Sequence, residues 1–223
     1  MSRVYDILNE LIERYPVLEA NRDEIYQAYH ILEKSYQDGK KLLVAGNGGS
    51  AADAEHIVGE LMKCFTKGRP LDQKLKKRLV DLDGELGETL AEKLEGALPA
   101  ISLNSNIGLS TAFLNDVDGR LILAQEVNGY GNEGDVFMGI STSGNAENIN
   151  YAAVIARAKG LKTIALTGKD GGKLKGRVDV AIVVKEMETY KIQELHLPVY
   201  HALCAMLEER FFSGLENNKN LRC

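Results

Sequence analysis

Apolar residues follow two rhythms along this chain. Over residues 4–37 they fall at Val4, Ile7, Leu8, Leu11, Ile12 and Tyr15, then at Ile25, Tyr29, Leu32 and Tyr36. Spacings of three and four predict two helices, with an interruption near Pro16. From Lys41 the texture changes to short, nearly continuous runs of Val, Ile and Leu at 41–45, 99–103, 135–140, 162–166 and 179–184. Each run ends in Gly, Ser, Thr or Asn and is followed by a helical pattern. Strands alternating with helices predict a parallel sheet, and covering both of its faces explains why the runs do not alternate with polar residues. The expected fold is therefore α/β, a three-layer α/β/α arrangement around a five-stranded parallel sheet, preceded by N-terminal helices over 3–37. Ligands of open sheets bind beyond the carboxyl ends of the strands. Gly46–Ser50, Ser102–Asn106, Ser141–Asn145 and Thr167–Gly172 all occupy such positions.

One segment breaks the alternation. Between Pro70 and Pro99 leucines recur at 71, 75, 79, 82, 86, 90, 94 and 98 within a charged background. This predicts a helical insert over about 71–98, broken around Gly84 and Gly87 into a hairpin. Three readings are open for it: a surface pair packing its leucines on the body of the protein, a subunit contact, or a lid over a site. At 223 residues the chain suits a single domain, 1–223, with the stretch from Gly214 to Cys223 as a frayed polar tail.

Charge and cysteine content narrow the functional classes. A formal net charge of −5 disfavours a nucleic-acid surface, which needs a basic face. No apolar run approaches the roughly 20 residues of a membrane span, and the N-terminus lacks a basic-then-apolar signal layout, so a cytoplasmic protein without membrane partners is expected. Cys64, Cys204 and Cys223 form no C-x-x-C pair, which argues against a disulfide framework or a thiolate zinc site.

Two post-strand turns carry candidate chemistry. Gly46-Asn47-Gly48-Gly49-Ser50 leads into a helix, whose N-terminal N–H groups and dipole attract anions. Ser141-Thr142-Ser143-Gly144-Asn145 adds three hydroxyls and a second helix start. A hydroxyl-rich turn alone could be an ordinary helix cap. Two such turns on neighbouring strands point instead to a phosphate cradle that needs no lysine. Neither matches a nucleotide-binding loop, so no nucleotide cofactor is expected. His56 and Glu60, four residues apart, share one helical face and could divide acid and base work or grip a metal. The last long helix supplies Gln193, Glu194, His196 and His201, with Gln193, Leu197 and His201 along one stripe.

Taken together, the residues from Gly46 to His56, Glu60, Arg69-Pro70, Asn115-Asp116, Ser141 to Asn145, Leu166 to Gly172, Ile192 to His196 and His201 resemble the phosphoheptose isomerase branch of the sugar-isomerase (SIS) domain family. The resemblance spans 1–70 and 99–213, nearly everything but the leucine-striped insert. It implies a flavodoxin-like strand order and an aldose–ketose isomerase acting on sedoheptulose 7-phosphate, usually a homotetramer with active sites between subunits. By position, it implies that Asn47, Gly48, Gly49, Ser50, Asn115, Asp116, Ser141, Thr142, Ser143, Glu60 and Gln193 contact the sugar phosphate. Glu60 and His201 would be the catalytic base and acid, and His56, Glu60, Gln193 and His201 would hold zinc. Three departures bear on the substrate: Ala146 stands where a serine is common, Cys64 where an arginine is usual, with Lys63 and Lys67 flanking it, and Tyr190-Lys191 where Asp-Arg is usual. Gln193 and His201 also lie about 12 Å apart along a straight helix at roughly 1.5 Å per residue, so both ligating one ion would demand opposed reach, with His196 as an alternative. An isomerase for another phosphosugar, or a non-catalytic SIS module that binds a sugar phosphate or the replication initiator, remain alternatives; retention of Glu60 with His201 favours the enzyme.

Overall fold

A computed structural model describes residues 3–214. The predicted tail beyond Gly214, with Cys223, lies outside the described residues. The five apolar runs form strands β1 (Leu42–Ala45), β2 (Ala100–Ser102), β3 (Val136–Ser141), β4 (Lys162–Thr167) and β5 (Val180–Val183). All neighbours pair in parallel, in the order β2-β1-β3-β4-β5.

Alternate strand residues divide between two cores. Leu42, Val44, Met138, Ile140, Ile164 and Leu166 face one way and pack beneath α1 (Arg3–Arg14), α2 (Arg22–Gln37), α3 (Gly49–Met62) and the carboxyl-terminal helix over 189–212. Leu43, Ala45, Phe137 and Ala165 face the other way, beneath helices over 122–130 and 147–158. Both faces of the sheet are thus sealed, the condition that the unbroken apolar runs require. The two N-terminal helices form as predicted, and Pro16 opens a short 3-10 turn (Pro16–Asn21) between them, where its missing N–H costs no bond.

The insert forms α4 (Gln73–Leu82) and α5 (Gly84–Lys93), and the break falls at Asp83, whose side chain caps α5 by accepting from the Leu86 N–H. Gly87 serves a different purpose: a methyl group there would lie 2.1 Å from the Leu79 carbonyl oxygen, so glycine lets the two helices touch. Of the striped leucines only Leu98 is buried in the core of the body, and those on the helices of the hairpin are largely left to solvent. Leu75, Leu82, Leu86, Leu90 and Leu94 are 39%, 84%, 63%, 40% and 48% exposed, which removes that reading of the insert. The physical reason is that the hairpin pairs with itself and is tethered at its base, where Pro70 bridges Glu95.

The chain continues through α6 (Ile107–Asp116), α7 (Ile122–Tyr130), α8 (Glu147–Ala158), the single turn α9 (Gly172–Lys175) and α10 (Thr189–Phe212). Among the described residues no helix is long and apolar enough to cross a membrane. The strand order reverses between β1 and β3, with α3 leaving to one face and α8 to the other. Both glycine- and hydroxyl-rich turns therefore flank the switch point, where an open sheet forms its crevice.

Candidate active site

The turn after β1 presents Asn47, Gly48 and Gly49 to solvent and starts α3 at Gly49. Ser50, predicted as a contact, is 4% exposed, and its N–H donates to the Asn47 carbonyl. A residue that the motif reading left unassigned anchors this turn. Asn104, just past β2, accepts from the Gly46 N–H at 3.1 Å and donates to the Gly46 carbonyl at 2.8 Å.

In the turn after β3, Ser141 is the last strand residue and is buried, while Thr142 and Ser143 are partly exposed. Gly144 has φ +64°, and a methyl group there would lie 1.9 Å from the Gly171 carbonyl oxygen. The turn is interlocked with the one after β4, the Gly168 N–H donating to the Thr142 carbonyl and the Leu174 N–H to that of Gly144. The two cradle turns are also joined directly: Asn47 and Asn148 exchange side-chain amide bonds of 3.0 and 2.8 Å. Asn148, in the first turn of α8, is a second residue the motif left out.

Across the crevice, α3 and α10 bring the predicted catalytic residues together in two places. A methyl group added at Gly49 would lie 2.5 Å from the Gln193 amide nitrogen, so Gln193 lies against the start of α3. Farther along, the rings of His56 and His201 are 5.0 Å apart. The two helices run side by side, so the roughly 12 Å between Gln193 and His201 is matched by the roughly 10 Å between Gly49 and His56. Gln193 therefore attends the cradle while His201 attends His56 and Glu60.

His56 is held from both ring nitrogens, with Nε2 3.2 Å from Glu60 Oε1 and Nδ1 3.0 Å from the Tyr200 hydroxyl. Tyr200 donates in turn to Asp53 Oδ1 at 3.3 Å. Burial raises the Asp53 carboxyl above its ordinary value, opposed by the bond from Tyr200 and by His56. Tyr200 and Asp53 were not singled out by the motifs. Their signal was positional, since Asp53 lies one turn before His56 and Tyr200 immediately precedes His201. His201 is half-buried beside the Phe65 ring, and its Nε2 is buried with no hydrogen-bond partner among the described residues. Burial, then His56, push its pKa below the usual histidine value, which leaves a neutral imidazole able to exchange a proton. Lys63 Nζ reaches Glu60 Oε2 at 3.1 Å and so supplies a cation to the carboxylate, whereas Lys67 turns away to Glu209.

A family model described as SIS domain matches residues 5–79 and 79–168. The chain belongs to the SIS domain family. Its relatives include the phosphoheptose isomerases of Nitratiruptor sp. (38% identical, spanning 92% of this chain and 98% of the relative) and Thermodesulfovibrio yellowstonii (37%, 89% and 86%). Among solved structures, phosphoheptose isomerases from Neisseria gonorrhoeae (TM-score 0.70, 30% identity, 92% and 97% coverage) and Francisella tularensis (0.72, 28%, 93% and 97%) share its fold.

Asn115 and Asp116 lie at the exposed end of α6, where the Asn115 amide donates to Asp116 Oδ1. Tyr190 is exposed, and Lys191 pairs with Glu188. Ala146 occupies the α8 cap position without a side-chain bond, and Cys64 is buried. A cavity of about 630 Å³ between α1, the segment after α3 and α10 includes Arg14, Phe65, Lys67 and His201 in its wall but none of the cradle residues. The four residues implied as zinc ligands are not gathered around one point, because Gln193 is at the start of α3. Among the described residues, no group of three or more His, Cys, Asp or Glu is arranged to hold a metal ion. Within one chain the arrangement offers no four-ligand zinc shell among the described residues.

Proposed function

We propose that this protein is a phosphosugar aldose–ketose isomerase that converts sedoheptulose 7-phosphate to D-glycero-D-manno-heptose 7-phosphate in the cytoplasm. The observation that carries the reading is the shared axis of α3. The helix begins at a phosphate cradle and, eleven residues on, carries Glu60 beside His56 and His201. Eleven residues cover about 16 Å, and the Glu60 side chain tilts back toward the helix start. That span suits an extended six- or seven-carbon sugar phosphate better than a triose phosphate.

In this reading the N–H groups of Gly48 and Gly49, the α3 dipole and the hydroxyls of Thr142 and Ser143 hold the phosphate. Glu60 removes a proton from C1 of the ketose as the C2 carbonyl oxygen takes one from His201, forming an enediol. His201 then takes the O1 proton and Glu60 returns its proton to C2, which completes the aldose and restores both groups. Tyr200 and Asp53 keep His56 oriented against Glu60.

The test is incubation with sedoheptulose 7-phosphate, following the new aldose phosphate by NMR. Glu60→Gln and His201→Ala should each lower kcat by roughly 10²–10⁴-fold with the fold intact. Unchanged turnover in either variant would remove the role given to that residue. The departures at Ala146, Cys64 and Tyr190 make a screen of five-, six- and seven-carbon sugar phosphates the companion experiment. Zinc is decided separately, by elemental analysis of protein purified without chelator and of His56→Ala.

Self-association is part of the proposal. Two ten-residue helices with no support from the body are too short to be stable alone, and their exposed leucines offer an apolar face to a second copy. Deleting 72–97 should yield a smaller assembly by light scattering. An unchanged assembly with an altered substrate range would identify a lid instead.

A further inference from the structure

The Arg69-Pro70 motif has no part in the chemistry described above, yet Arg69 is among the most completely buried large residues of the molecule. Its guanidinium donates three bonds: from Nη1 to the Leu61 carbonyl at 2.7 Å, from Nη2 to the Glu60 carbonyl at 2.9 Å and from Nε to Glu208 Oε1 at 2.8 Å. Its flat face lies 4.7 Å from the centre of the Phe212 ring. Glu60 and Leu61 are in the last turn of α3, where carbonyls lack helical partners. Glu208 is on α10, seven residues after His201 and hence on nearly the same stripe.

Glu208 is itself fully buried and saturated. Besides Arg69, it accepts from the Phe65 N–H at 2.8 Å and from the Thr66 N–H and hydroxyl at 2.8 and 2.6 Å. Burial alone would raise its pKa, but the Thr66 and Phe65 bonds and the Arg69 charge outweigh that and hold it below the ordinary value. Phe65, fixed by this network, is the ring that packs against His201.

Buried ion pairs are a weak means of stabilising a fold, since apolar replacements of similar volume are often as good or better. The geometric consequence is more specific. One rigid fork ties the turn carrying Glu60 to the helix carrying His201. We propose that Arg69 and Glu208 form a positioning brace that sets the spacing between the carboxylate and the imidazole of the reaction. This rests on the catalytic assignment of Glu60 and His201 made above.

The brace separates from a plain structural role by kinetics. Arg69→Lys keeps the charge and the pairing with Glu208, but its single ammonium cannot span both carbonyls as the planar fork does. With sedoheptulose 7-phosphate, and rates taken per folded protein well below the melting temperature, kcat should fall roughly tenfold to a hundredfold while KM changes little, as expected when reacting groups are misplaced. The double variant Arg69→Met/Glu208→Gln removes the buried charges while its amide oxygen still accepts from one of the Phe65 and Thr66 N–H groups. It should fold and keep the low kcat. Wild-type kcat in Arg69→Lys, or recovered kcat in the double variant, overturns the brace. Glu60→Gln is assayed alongside: if it remains active, the catalytic assignment fails, whereas an inactive Glu60→Gln with a fully active Arg69→Lys refutes the brace alone.

Discussion

Replacing Gly144 by alanine probes the turn that supplies half of the phosphate cradle. The residue sits at φ +64°, and an added methyl group would come within 1.9 Å of the Gly171 carbonyl oxygen and 2.4 Å of its carbon. Both obstacles are backbone, so no side chain can swing aside. The left-handed conformation costs about 1–2 kcal/mol for an L-residue. Forcing the β3 and β4 turns apart adds about 1–3 kcal/mol, the usual cost of overpacking. The sum, about 2–5 kcal/mol, should lower Tm by roughly 5–20 °C in a chain of this size. In urea the midpoint should fall with the slope unchanged. Gly59 provides the control. It lies within α3 with nothing within 4 Å of an added methyl, so Gly59→Ala should gain about 0.5–1 kcal/mol from helix propensity. A Gly144→Ala protein melting within about 2 °C of the parent would refute the interlocked-turn account. A loss of similar size in both variants would do so too, because the distinction between the sites would have vanished.

Other expectations follow from buried polar groups. Glu126 is 2% exposed on α7, and burial lifts its carboxyl to about 7. Because the folded state then holds a proton that the unfolded chain releases near pH 4.5, this group's contribution to stability is present at low pH and lost as pH rises through about 7. Glu126→Gln should flatten that decline in pH-dependent urea unfolding, and an unchanged slope would contradict it. His196 behaves oppositely: burial, against a smaller pull from the Thr167 backbone, lowers it to about 4. Its contribution is intact above pH 6.5 and lost as pH falls toward 4, so His196→Asn should show a shallower acid limb. Tyr200→Phe leaves His56 Nδ1 and Asp53 Oδ1 without their shared hydroxyl. Thermal melting should record a loss of about 1–3 kcal/mol, and no loss would mean that water replaces the hydroxyl at no cost.

Much of the architecture was legible one residue at a time. A strand covered on both faces must be apolar throughout, so five unbroken runs announced five buried strands, and glycine-rich turns at their ends located the crevice. Helix faces were legible too, because His56 and Glu60 share a stripe whatever surrounds the helix. Periodicity, however, states which face of an element is apolar or reactive, not which other element meets it. Tertiary structure decided that α10 runs along α3, so that Gln193 and His201 serve different ends of one helix rather than a single metal shell. It also decided that most leucines of the insert are left exposed, and that Tyr200, Asp53, Asn104 and Asn148 complete the candidate site. Arg69 shows the division plainly. Its sequence neighbours reveal a basic residue before a proline, whereas its burial against Glu208, 139 positions away, follows from how two helices pack. Local patterns were sufficient for the elements because they depend on short-range sterics and on burial. The long-range pairings depend on three-dimensional packing that no single stretch of chain encodes.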